Sequence, residues 1–218
     1  MVGEEPIAEV EHLTVRYGKL TALDDVTLRV SSGNTLIVGA NGSGKSTLIN
    51  TVLGLLRPRR GRVRLLGRDP FRENIAGLVT YVRDREDLPA NMRLESWADH
   101  LASVYGWDRV KNAMEVLGLT PHKGKRVQEL SRGLRRRAML LEAAASDRPL
   151  VVVDEPFQGL DRPSREVVAG ALAGVPGSLM ITSHILVPIE FDYLIVLDAG
   201  RLAYQGPYRE DIARDYLS

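Results

Sequence analysis

Apolar and polar residues alternate over the first thirty positions, as in strands with one buried and one solvated face. The alternation predicts two antiparallel strands, over 7–16 and 20–30. Apolar and polar side chains alternate most strictly at Val26, Thr27, Leu28, Arg29 and Val30. The next apolar run, 35–38, is short and uninterrupted, which predicts a buried strand. Residues 48–54 follow it as a helix.

After this helix the hydrophobic pattern is first strand-like, then helical and then strand-like again. Short strands are predicted over 62–66 and 78–82, and a helical pattern runs from Leu94 to about Ala145, with its third helix starting after Ser131 as N-cap. Strand-like runs return after it. The remaining predicted elements are strands over 150–155 and 178–184, a closing hairpin of 193–197 with 201–204, and a last helix over 208–217.

This order of elements predicts an α/β fold. We expect a core with a mostly parallel central sheet, an N-terminal antiparallel β subdomain and an inserted α-helical subdomain. The predicted domain is single, with a core made of 1–91 and 149–218 and a helical subdomain of 92–148.

The composition of the chain argues against several classes of protein. The chain has 218 residues, 44% hydrophobic, and a formal net charge of +1, so nothing favours nucleic acid or an anionic membrane over the whole surface. It has no Cys, which excludes disulfides and thiolate metal sites. Residues 1–6 lack the features of a secretion signal, and no apolar run approaches the ~20 residues that cross a bilayer.

The most informative stretch lies between the strand at 35–38 and the following helix. It has the phosphate-loop spacing of Gly, four residues, Gly, Lys and then Ser or Thr. Glycines let the backbone amides turn toward an anion, Lys45 is positioned to reach terminal phosphates, and the Ser46 hydroxyl suits Mg²⁺. The loop residues predicted to bind phosphate are Gly39, Asn41, Gly42, Ser43, Gly44, Lys45, Ser46 and Thr47.

Two other strands end in groups that carry chemistry. Asp154 and Glu155 close the buried run at 150–155, and His184 closes the run at 178–184. The carboxyl ends of parallel strands meet at one sheet edge, where such folds bind ligands. Asp154 is therefore a predicted Mg²⁺ ligand with Ser46, Glu155 a base for an attacking water, and His184 a contact to the terminal phosphate. Together with the phosphate-loop residues they describe a nucleoside triphosphate hydrolase, so we expect the α/β fold to have a P-loop NTPase core.

Two arginine clusters have simpler interpretations. The cluster at 57–64 has no interleaved aromatic residues, so we interpret it as a solvated turn and strand face rather than a nucleic-acid site. The run of Arg135, Arg136 and Arg137 does not share one helix face and is likewise expected to be solvated surface.

Nearly the whole chain resembles the nucleotide-binding subunit of ATP-binding cassette (ABC) transporters. Residues 39–47 match its Walker A motif, and 150–154 match Walker B with Glu155 as the catalytic glutamate. Residues 159–161 match the D-loop, which contributes Asp161. His184 matches the switch histidine, and residues 130–134 lie at the signature motif. Tyr17 matches the aromatic residue that stacks on adenine.

The resemblance implies a head-to-tail dimer, homomeric or heteromeric, that binds two ATP molecules with Mg²⁺. Ser131 and Gly133 are then expected to contact ATP across the interface. Closing and opening would drive membrane-spanning permease subunits on separate chains, with the helical lobe and the loop after Val82 as the coupling surface. The expected location is cytoplasmic, peripheral on the inner face of the cell membrane, and no nucleic-acid partner is expected.

Three positions depart from the family motifs. Arg132 and Leu134 replace the first Gly and the Gln of the signature, and Asp84 stands where the Q-loop has Gln. Asp84 is predicted to contribute to Mg²⁺ binding, with a shorter and charged side chain. Two alternatives to a transporter subunit are a soluble ABC-type ATPase and a regulatory half that holds ATP with weak hydrolysis.

Overall fold

The computed structural model describes residues 6–84 and 88–217. Its strands are β1 (Ala8–Tyr17), β2 (Leu20–Val30), β3 (Asn34–Val38), β4 (Arg60–Leu65), β5 (Val79–Val82), β6 (Leu150–Asp154), β7 (Ser178–Ser183), β8 (Tyr193–Asp198) and β9 (Arg201–Pro207). Its α-helices are α1 (Lys45–Val52), α2 (Leu94–Tyr105), α3 (Trp107–Val116), α4 (Arg132–Ala145), α5 (Arg162–Ala173) and α6 (Glu210–Asp215).

By their contacts, the described residues fall into two units. The first holds residues 6–79, 180–186 and 191–217, and the second holds 80–84, 88–179 and 187–190. Among the described residues, no helix combines the length and the apolar character that spanning a membrane requires.

A three-stranded antiparallel sheet, ordered β2-β1-β4, lies in the first unit. Val10 pairs with Leu28 on one side and Val63 on the other, and all three side chains are buried. The preceding residue, Glu9, pairs with Arg29 and Arg64 on the opposite face. The alternation seen in the sequence thus produces one core face and one charged face, and the predicted antiparallel strands are confirmed.

The larger sheet has, within the part of the chain that is described, the order β5-β6-β7-β3-β8-β9. In the first unit β3 runs parallel to β8, with Leu36 beside Leu194 and Val38 beside Val196, all fully buried. Strand β9 closes the edge as the antiparallel partner of β8, which confirms the predicted hairpin. The α/β class is therefore confirmed.

The second unit contains the helices α2 to α5. Helix α3 packs on α2, α4 and α5, and the Trp97 ring nitrogen of α2 donates to the Ala138 carbonyl of α4 at 3.1 Å. The helical pattern from Leu94 to Ala145 is confirmed, with two 3₁₀ turns between α3 and α4. Helix α5 was not predicted, and α6 is shorter than the expected 208–217 because it ends at Asp215.

Candidate functional site

In the first unit, residues 39–47 form the phosphate loop, which joins β3 to α1. Gly39 and Gly44 adopt φ values of 152° and 106°, which side chains disfavour. A Cβ at Gly39 would lie 2.2 Å from the Leu197 carbonyl oxygen and 2.5 Å from the Ser43 hydroxyl, and one at Gly44 2.8 Å from the Ala22 carbonyl oxygen. Glycine at these positions lets the loop lie against its neighbours.

The side chains of the phosphate loop are arranged for an anion. Lys45 is buried, and its ammonium donates to the carbonyls of Gly39 at 2.7 Å and Ala40 at 3.3 Å. The Ser43 hydroxyl is buried without a hydrogen-bond partner. Because buried polar groups are nearly always satisfied in native proteins, this hydroxyl is suited to hydrogen-bond an anion bound in the loop. The first turn of α1 adds its positive dipole end.

In contrast to Lys45 and Ser43, several other predicted site residues of the first unit are exposed. Tyr17 ends β1 with half of its surface exposed, and Asn41 and Ser46 are exposed on the phosphate loop. His184 follows β7, which neighbours β3 in the sheet. The Ser183 hydroxyl fixes this turn, donating to the Ile185 carbonyl at 2.7 Å and accepting from its N–H at 3.1 Å.

In the second unit, the carboxylate turn, residues 154–161, joins β6 to α5. Strand β6 is buried throughout, and Asp154 and Glu155 remain only 4% and 8% exposed. Glu155 has a left-handed backbone with φ of 50°, uncommon for a residue that is not glycine. The turn therefore presents two neighbouring, largely buried carboxylates on a constrained backbone.

Arg136 of α4 corrects the interpretation of the arginine run as solvated surface. It is 5% exposed, and its guanidinium donates to the carbonyls of Asp154, Glu155 and Pro156 and to Asp84. The physical reason is helical spacing. Arg136 is three and four residues from buried Met139 and Leu140, so it lies on the buried face of the helix.

Asp84, the predicted third metal ligand, follows β5 and lies beside this cation. Its carboxylate oxygen is 3.2 Å from the Arg136 guanidinium, and the Gln158 side-chain amide lies 2.9 Å from both carboxylate oxygens, with its nitrogen as donor. Burial raises the pKa of Asp84, Arg136 opposes that rise, and the charges of Asp154 and Glu155 add to it.

Residues at the signature position begin helix α4. The Ser131 hydroxyl accepts from the Leu134 N–H at 3.3 Å, so the predicted N-cap is confirmed. The Arg132 side chain covers Gly159 of the carboxylate turn, since a Cβ there would lie 2.7 Å from an Arg132 nitrogen. A Cβ on Gly133 would lie 3.5 Å from the Ser164 hydroxyl. The departure from glycine at 132 thus places a cation over the D-loop position.

Asp161 is the N-cap of α5. Its carboxylate accepts from the Ser164 N–H at 2.9 Å, and hydrogen bonding to Ser164 lowers the pKa of Asp161. The Arg137 guanidinium donates to the Ser164 hydroxyl at 2.8 Å, which ties α4 to the start of α5.

The structure thus groups the predicted residues in two sets. The first unit holds the adenine-site, phosphate-loop and switch positions, and the second holds Asp84, the carboxylates, the signature and the D-loop. Sequence reasoning missed Arg136 and Gln158. The helical period of α4 was the available signal for Arg136; nothing in the sequence pattern marked Gln158.

Comparison with known proteins gives matches along most of the chain. The family model described as ABC transporter matches residues 23–158. The manganese transport system ATP-binding protein MntA of Synechocystis sp. is 30% identical, over 95% of this chain and 87% of its own. The biotin transport ATP-binding protein BioM of Rhizobium etli is 32% identical, over 94% and 96%. A solved ATP-binding subunit of an ABC transporter has a TM-score of 0.78 at 25% identity, covering 96% and 93%.

Proposed function

Because this chain belongs to the ABC transporter family, we propose that it is the ATP-binding and ATP-hydrolysing subunit of a transporter whose membrane-spanning part is a separate chain. Two relatives are named as ATP-binding proteins of transport systems, one for manganese and one for biotin. Those names favour transport over the two alternatives, a soluble ATPase and a regulatory half.

The phosphate loop is the observation that carries this function. Lys45 is held in place by two carbonyls of its own loop, and the buried Ser43 hydroxyl has no partner. A polyphosphate supplies the acceptor oxygens that both groups need, and loop amides with a helix N-terminus favour its negative charge. Tyr17, half exposed at the end of β1, is the proposed stacking surface for adenine.

Ser46 of the phosphate loop and Asp154 at the end of β6 carry oxygen donors of the kind that Mg²⁺ binds. This ion prefers oxygen ligands and is usually bound by one or two carboxylates together with substrate phosphates. We assign the Ser46 hydroxyl and the Asp154 carboxylate as its ligands and keep Asp84 as a third candidate. When bound, the ion neutralises phosphate charge during transfer.

The remaining residues have distinct proposed roles. Glu155 orients the attacking water and accepts its proton, while Lys45 stabilises charge on the transferred phosphate. His184 contacts that phosphate from the end of β7. Ser131, Gly133 and Asp161 are proposed to act across the interface of an ATP-dependent dimer, homomeric or heteromeric, toward the ATP on the other subunit.

The proposed partners are permease subunits, which place the protein at the cytoplasmic face of a membrane. The helical subdomain, 92–148, and the loop after Val82 are the proposed coupling surface between the ATPase and the permease. Residues 85–87 of that loop lie outside the described residues. Catalysis is assigned to the core of 1–91 and 149–218.

The test is steady-state ATP hydrolysis with Mg²⁺ as a function of protein concentration, for the wild type and Glu155→Gln. We expect the wild-type rate per subunit to rise with concentration and the variant to be inactive. A rate per subunit that is constant with concentration would contradict the dimer. Wild-type protein that binds ATP without hydrolysing it would contradict the self-sufficient enzyme. Co-purification with a polytopic membrane protein tests the permease partner separately.

A further inference from the structure

Arg136 is a buried cation of helix α4 in the second unit. Its side chain is 7% exposed, although it belongs to a helix whose neighbouring arginines, Arg135 and Arg137, are less deeply buried. A buried guanidinium is tolerated only where acceptors replace the water it has lost. The acceptors around it therefore indicate what this residue does.

Those acceptors come from two segments. From the carboxylate turn, the carbonyls of Asp154, Glu155 and Pro156 accept from the guanidinium, the first at 3.2 Å and the third at 3.4 Å. From the segment after β5, Asp84 accepts through its carbonyl at 3.3 Å and its carboxylate at 3.2 Å. One planar fork thus holds the backbone on which both Asp154 and Glu155 are carried.

The backbone of Glu155 needs such support. Its φ of 50° is in the left-handed region, which side chains other than glycine rarely occupy unless their surroundings impose it. The Glu155 carbonyl accepts both from Arg136 and from the Gln158 N–H at 3.2 Å. Because φ fixes the direction of the Cα–Cβ bond, holding this peptide also directs the Glu155 carboxylate.

We propose that Arg136 is a positioning residue that fixes the carboxylate turn, and that Asp84 is its counterion. This inference rests on the proposed function, because it gives Glu155 its base role. Asp84 replaces the glutamine of the family motif, and its carboxylate gives the buried Arg136 an anionic partner at 3.2 Å, which a neutral amide would not be. The two positions therefore work as a pair.

The pairing has a consequence that a purely structural contact would not have. Removing Arg136 takes away the cation beside Asp84, so it no longer offsets the repulsion between half-buried Asp84 and the buried carboxylates of Asp154 and Glu155. Removing the Asp84 charge as well takes away part of that repulsion. A second substitution at Asp84 is therefore expected to restore activity lost at Arg136.

The experiment measures kcat, KM and ATP Kd for Arg136→Gln, Asp84→Asn and the double variant, with Arg109→Gln, an exposed arginine of α3, as matched control. We expect Arg136→Gln to lower kcat by about 100-fold, the effect of a misplaced catalytic group, with ATP Kd nearly unchanged. The double variant should recover about tenfold of that kcat. Arg109→Gln should behave as wild type.

Arg136→Lys keeps the charge and loses the fork. We expect it to fold and still show a reduced kcat, so it remains informative if Arg136→Gln unfolds. If kcat and Tm fall and the ATP Kd rises together, without rescue by Asp84→Asn, Arg136 is a packing residue and the proposal is overturned. Wild-type protein without ATPase activity would instead refute the proposed function, whereas an active wild type with an active Arg136→Gln would refute this inference alone.

Discussion

The phosphate loop and the carboxylate turn each depend on one buried cation, but they satisfy it differently. Lys45 donates to carbonyls five and six residues away in its own loop. Arg136 donates to groups 18 to 52 residues away, in two other segments of the second unit. The phosphate loop is a local structure, whereas the carboxylate turn is assembled by tertiary packing.

This difference separates two kinds of functional residue. A local loop encodes its conformation in glycines at fixed spacing, so replacing its lysine should act mainly on ligand affinity. Substitution of a distant arginine can change the geometry of the carboxylate turn without replacing the residues that take part in catalysis. The predictions below test that distinction.

Glu155→Gln is expected to have the largest effect. Its amide has no basicity toward the attacking water, so kcat for ATP hydrolysis should fall by about 1000-fold, within the range for loss of a general base. The backbone contacts of Glu155 to Arg136 are unchanged by the substitution, so equilibrium binding of ATP should be retained. A parallel loss of ATP affinity would show that the turn itself had been disrupted.

Lys45→Met changes the phosphate loop, and it should act on ATP affinity where Glu155→Gln acts on kcat. Removing a charge-assisted contact to phosphate is expected to weaken ATP binding by about 100-fold, measured by fluorescence titration. Lys111→Met, which removes an exposed cation of α3, is the control and should leave binding unchanged. Unchanged affinity with a lower Tm in Lys45→Met would mean that Lys45 only closes its loop.

The contrast between local contacts and contacts distant in sequence explains which parts of the structure could be predicted from the sequence. The phosphate loop, the strands before and after it and the buried run of β6 were predicted because their signals are local patterns. The solvated interpretation of Arg136 was wrong, since its acceptors at Asp84 and Glu155 are distant in sequence and only packing brings them together. Helix α5 was missed although its signals are local: Asp161 is its N-cap, and buried Val168, Ala171 and Leu172 recur at helical spacing.

Two alanine substitutions, at Gly39 and Gly42, test the conformation of the phosphate loop. Gly39→Ala should lower the free energy of unfolding by about 2 kcal/mol, because its Cβ would meet the Leu197 carbonyl and the Ser43 hydroxyl. At Gly42 a Cβ has no atom within 4 Å, so Gly42→Ala should cost only about 1 kcal/mol from its φ of 82°. Urea denaturation measures both. Equal losses would contradict the close approach at Gly39.

The smallest effect is expected at the end of the carboxylate turn, where Asp161 caps α5. Its native pKa is lowered, so the ionised carboxylate contributes stability above the unfolded pKa of about 3.9, and this is lost as pH falls through the native value. The Tm of wild type should therefore drop more than that of Asp161→Asn between pH 5 and pH 3. Ser131→Ala removes the neutral cap of α4, and its Tm deficit should stay constant over that interval. If the wild type and Asp161→Asn instead kept parallel Tm curves, Asp161 would not cap α5 in its charged form.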